Sequence, residues 1–172
     1  AETFWEQPLA MPSMVALQLL SANLVVPAGL KLLDTETKEK NELDGIGKLI
    51  SYRLCEEKPE SLRIVPLLGN KRSDYRQTVL DLSRHSKPNV WEYRGDPALL
   101  ANDDYLNMLV TLCWMQDRDL FIHHELFDTF EKHLDRNAGL PLVSIPVTLY
   151  LAISKSRQVH NIETELLLPV VK

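Results

Sequence analysis

Only six glycines and two cysteines occur in the 172 residues of this chain. Two cysteines cannot make the multi-bridge framework on which small secreted domains depend. Cys55 and Cys113 each lie on or near the apolar side of a stretch with helical spacing, so both read as buried free thiols. The glycines form no nucleotide signature either. Gly45-Ile46-Gly47 lacks the third glycine, the preceding strand and the Lys-Ser/Thr ending that a phosphate loop needs. There is no Gly-x-Ser-x-Gly elbow for a nucleophilic serine. No Glu-x-x-His pair occurs, which excludes the ligand set of two-metal carboxylate bundles.

A basic excess is missing as well. Nineteen Lys and Arg stand against 24 Asp and Glu, a formal charge of −5. That balance argues against nucleic acid as a partner, since phosphate contacts are made by cations. The chain also lacks a clean apolar run of membrane length. No residue between Glu6 and Lys31 is charged, but Pro8, Pro12 and Pro27 punctuate the stretch and Gln18, Ser21 and Asn23 dilute it. A span needs about 20 mostly apolar residues. No membrane span is therefore expected, and Ser13 to about Val26 reads as a fully buried core helix. Ala1-Glu2-Thr3 carries no basic segment of a secretory signal, and it could equally follow a removed Met or a cleaved signal. The cytoplasm is the expected compartment.

What remains is the composition of a folded domain, 45% hydrophobic and 25% charged. The length suits one core, and we expect a single all-helical domain over 1–172, as a whole protein or a piece of a longer one. Helical spacing supports this. Leu43, Ile46, Ile50 and Leu54 make one stripe, and Tyr75, Val79 and Leu82 another. Asn102 or Asp103 caps a helix whose buried stripe is Leu106, Leu109, Val110 and Cys113. After the tight connection Gln116-Asp117, a helix from Arg118 to Arg136 faces Leu120, Phe127, Phe130 and Leu134 inward. Val147 to Ile153 is apolar all round and reads as a core helix, with a short last helix over about Asn161 to Leu168. Leu62 to Pro66 is ambiguous, and we take it as a short helix or extended connector. The expected architecture is all-α: an irregular orthogonal or antiparallel bundle of about six or seven helices with little or no β.

Three surfaces carry functional expectations. On the helix over 118–136, His124, Asp128, Glu131 and Asp135 recur at i, i+4, i+7 and i+11 and share one acidic face. The loop Trp91-Glu92-Tyr93-Arg94-Gly95-Asp96-Pro97 offers two aromatics and an arginine. Lys71, Arg72, Arg76, Arg84 and Lys87 form a basic row with Tyr75. The leading expectation is a non-catalytic interaction module, an adaptor, regulatory or immunity-type neutralising protein. It binds another protein through Asp128, Glu131, Asp135, Trp91, Tyr93 and Arg94. No cofactor, metal or catalytic residue is assigned, and the oligomeric state is left open. Two alternatives stand beside it. A helical metal-dependent hydrolase could centre on His124 and Asp128, with His133 or Glu131 as a third ligand, while His123 reads as a core histidine. Nucleic acid could bind the basic row over 71–87.

Overall fold

Val147 to Ile153 is apolar at almost every position because it is buried on both faces, and that is the pattern of a central parallel strand. The structure, a computed structural model, describes residues 11–33, 43–56, 61–69, 73–84, 89–126 and 145–154. In it Thr148–Ser154 is a strand and not a helix. This corrects the all-α expectation: the centre of the fold is a five-stranded mixed sheet with helices on both faces.

The strands are β1 (Leu30–Leu32), β2 (Arg63–Gly69), β3 (Val90–Tyr93), β4 (Asp119–Ile122) and β5 (Thr148–Ser154), in spatial order β1-β3-β4-β5-β2. The last four run parallel, and β1 is antiparallel on β3. The described helices are α1 (Ser13–Leu20), α2 (Gly45–Glu56), α3 (Tyr75–Ser83), α4 (Pro97–Leu100) and α5 (Asp103–Met115).

Period-two alternation sorts the core into two layers. Ile64, Trp91, Tyr93, Leu120, Ile122, Leu149 and Leu151 pack with Leu100, Leu106, Leu109 and Cys113 of α4 and α5. Val65, Leu67, Val90, Phe121, Tyr150 and Ala152 pack on the other face with Ile50 and Leu54 of α2 and Tyr75, Val79 and Leu82 of α3. From β2 the chain passes through α3 and skips past β5 and β4 to β3. It then returns through α4 and α5, on the opposite face, to β4. Direction and face reverse together, which keeps the hand of crossover constant.

Pro66 sits inside β2, whose segment is ambiguous from its residues alone. It is tolerated because β2 is an edge strand among the described residues, where an amide position can face away from the sheet. Asp119 is buried at the start of β4, and its Oδ1 accepts from the Thr148 amide at 3.0 Å. That bond extends the β4–β5 pairing, whose first register pair is Leu120 with Leu149.

Helix α1 is shorter and less buried than its composition predicts. It ends at Leu20, and only Val15 among its residues is buried. Helix α5 follows the expectation closely: the Asn102 side chain accepts from the Tyr105 amide at 3.1 Å. Its cysteine, Cys113, is fully buried, and burial pushes its thiol up to about 12. Cys55 is exposed on α2. The thiolate is the reactive form. Alkylation of native protein at pH 8 should therefore modify Cys55 and leave Cys113 until the chain unfolds. Equal rates at both thiols would contradict this packing.

Candidate functional site

In an open parallel sheet, ligands bind beyond the carboxyl ends of the strands, where successive connections leave to opposite faces. In this sheet β2 leads to α3 on one face and β3 leads to α4 on the other. Four chain segments meet at that edge: Gly69 ends β2, Tyr93 ends β3, Ile122 ends β4 and Ser154 ends β5.

The chain leaves β4 at His123 and turns at once into a 3-10 turn, His124–Leu126, closed by the Leu126 amide donating to the His123 carbonyl at 2.9 Å. Neighbouring side chains of a strand point to opposite faces. The turn cancels that divergence, and the His123 and His124 rings come to 4.2 Å between centroids. Donor atoms of His123, His124 and Glu125 all lie within 4.8 Å of one another. Ligand atoms at 2.0–2.1 Å from a tetrahedral zinc stand about 3.4 Å apart, against a spread of up to 4.8 Å among the donors of the half-buried histidines and exposed Glu125.

Tyr75, first residue of α3, roofs this cluster. Its ring lies 5.8 Å from His123 and 5.5 Å from His124, and its hydroxyl donates to the Ile153 carbonyl at 3.4 Å. Gly69 makes the approach possible, because a Cβ there would stand 2.6 Å from Ser73 Oγ and 3.0 Å from Tyr75 Cε1. Burial, and then the neighbouring His124, lower the His123 pKa, which favours the neutral imidazole that a metal ion requires. Burial raises the pKa of Tyr75, keeping its hydroxyl protonated. His124 Nδ1 is buried and makes no hydrogen bond among the described residues. A nitrogen so placed loses its water without replacement, at a cost of about 1–3 kcal/mol.

Beside the histidines lies an ionic clasp. Glu92 of β3 is 1% exposed; its Oε1 accepts from Arg76 Nε at 2.8 Å, and its Oε2 accepts from Arg94 at 2.7 and 2.8 Å.

The structure describes only some of the residues singled out from sequence. Asp128, Glu131 and Asp135 lie outside the described residues, as do His133, Lys71, Arg72 and Lys87. The helix expected over 118–136 is overturned where it is described, since 119–122 is strand and 124–126 a 3-10 turn. The helical spacing joining His124 to Asp128 therefore starts from a residue that is not in an α-helix. Trp91 and Tyr93 are strand residues rather than loop residues, and both are buried. Trp91 Nε1 donates to Gln116 Oε1 at 2.9 Å under the Arg118 guanidinium, and the Tyr93 hydroxyl donates to the Asp96 carbonyl at 2.8 Å. Of that trio only Arg94 reaches the surface. Arg84 is tied to Asp81 at 2.8 Å.

Sequence reasoning missed His123, Glu125 and Tyr75 as a group. The available signal was the doublet His123-His124 directly after Leu120-Phe121-Ile122, a short apolar run that can be a strand. No protein family, characterised protein or solved structure matches this chain. No helix among the described residues is long and apolar enough to cross a membrane.

Proposed function

We propose that the protein is a divalent-metal-dependent hydrolase whose centre lies at the carboxyl edge of the sheet, with His123, His124 and Glu125 as metal ligands. The observation that carries this reading is the convergence of three donors around a turn that leaves a buried imidazole nitrogen without a hydrogen bond among the described residues. Two imidazoles and a carboxylate suit zinc and its neighbours in the transition series. Three protein ligands leave a coordination position open, where a bound ion would acidify water and polarise a substrate oxygen. The Tyr75 ring covers one side of the histidine pair and limits water there.

The measurement is metal content after equilibration with zinc and gel filtration. Wild-type protein should retain about one equivalent, and His124→Ala should retain none while keeping its circular dichroism. Retention by His124→Ala, or none by wild type, would defeat the reading. Both described cysteines are free, which fits the reducing cytoplasm we propose as the setting.

A protein partner is retained as a second reading because α1 presents Leu17, Leu19 and Leu20 to solvent, Leu20 at 87% exposure. Clustered exposed leucines are a common mark of contact surfaces. Under this reading Leu20→Glu lowers partner affinity at least about tenfold without lowering Tm.

A further inference from the structure

We propose that Arg76 and Arg94 form an anion subsite beside the histidine cluster, and that the substrate carries a phosphate ester. The inference rests on the metal-centre reading above and names the substrate class of that site.

Glu92 can be explained in part as a tie. It is buried on β3, and Arg76 comes from α3, so their ion pair holds a helix to the sheet. Arg94 has no such explanation. It lies two residues from Glu92 on the same chain segment, so bonding the two fastens nothing to anything else. What the second guanidinium adds is charge. One carboxylate between two guanidiniums leaves a net positive unit at this spot, on a chain whose overall charge is −5.

The clasp also sets direction. Glu92 gives one oxygen to each arginine, and Arg76 is held through Nε alone. The terminal nitrogens of Arg76 and Nη1 of Arg94 make no hydrogen bond among the described residues. Both side chains are about half exposed, 50% and 43%. Guanidinium forks fixed at one edge by a buried acid, with their other edge open, are preorganised for an oxyanion.

Register places them at the same site as the histidines. Glu92 pairs with Phe121 and Tyr93 with Ile122, so Arg94 and His123 are the next step along β3 and β4. Alternation puts Glu92, Arg94, Phe121 and His123 on one face. Arg76 directly follows Tyr75, whose ring lies 5.8 Å from that of His123 and 5.5 Å from that of His124. A phosphoryl group fits between an ion and two guanidiniums, as its charge is shared by three oxygens. In the hydrolysis this implies, a water oxygen bonds to phosphorus and the ester P–O bond breaks. The water's proton is released, the departing alkoxide gains one, and no electrons are transferred to or from an external carrier.

The test separates the two proposals. Inorganic phosphate is titrated by calorimetry into EDTA-treated protein at low salt, and zinc is titrated separately into phosphate-free protein. Wild type should bind phosphate saturably without metal. Arg94→Gln should weaken that binding about tenfold or more, and Arg94→Lys should fall between. Zinc binding should be unchanged in Arg94→Gln. Arg53→Gln, an exposed arginine on α2, should behave as wild type. Phosphate affinity equal in wild type and Arg94→Gln, or no phosphate binding in wild type, would overturn the subsite. Phosphate binding by wild type without any zinc binding would overturn the metal centre and leave the anion subsite standing.

Discussion

Replacing Phe121 by alanine should cost about 3–5 kcal/mol, among the largest effects expected of a single substitution in the sheet. Phe121 is fully buried in β4, between Glu92 of β3 and Tyr150 of β5 in the sheet register. It belongs to the core layer that contains Val79, Val90, Tyr150 and Ala152, and its ring meets that of His123 edge to face at 6.1 Å between centroids. Domains of this size have about 5–15 kcal/mol of stability in total. The loss should therefore lower Tm on the order of 10 °C and be visible in a denaturant midpoint. Tyr52→Ala, at 61% exposure on α2, should stay within about 0.5 kcal/mol of wild type. The pair also discriminates folds. A helix over 118–136 turns Leu120 inward and assigns Phe121 no core role, whereas strand β4 buries it. A small effect at Phe121 would contradict the sheet.

Gly29→Ala is the second large prediction. Pro27 to Leu30 is a turn closed by the Leu30 amide donating to the Pro27 carbonyl at 3.2 Å, with Gly29 at φ +92°. This is the third position of a type II turn, where a side chain is strained by roughly 1–2 kcal/mol. Space is lacking as well. An added Cβ would stand 2.6 Å from the Gly95 Cα, a backbone atom that cannot rotate aside. Overpacking of this kind costs a further 1–3 kcal/mol or so. The Gly29 carbonyl accepts from the Arg94 amide at 2.6 Å, so any shift is passed to the strand end that carries the arginine. Gly45→Ala, with nothing near its Cβ, is the matched control. Chemical denaturation of both should show a large loss at Gly29 and none at Gly45. Equal stabilities would contradict the turn.

These two positions show where the sequence is readable. The turn at Ala28-Gly29 and the capped helix after Asn102 are local features, set by residues within a few positions, and both are legible. The sheet is not local. Val147 to Ile153 is buried on both faces and loses the alternation that marks a one-sided strand. Segments β3 and β4 have four residues each, too few for a period to show. The apolar residues of β4 run on into Leu126 and Phe127 at spacings a helix also allows. Glu92 makes β3 look like loop, because its partner Arg76 is brought to it from α3 by the fold. At the site, His124 stands out by its neighbours in sequence. Its link to His123 depends on a turn that begins at that residue, and its link to Tyr75 on a strand order no local pattern encodes.

The most direct test of the metal centre is a zinc titration followed by ¹H–¹⁵N correlation spectra of the labelled protein. Saturation is expected near one equivalent, with the largest shifts at Tyr75, Arg76 and His123 to Leu126, and side-chain nitrogen shifts at His123 and His124. Shifts centred on His85, His133 or His160, or none at all, would contradict it.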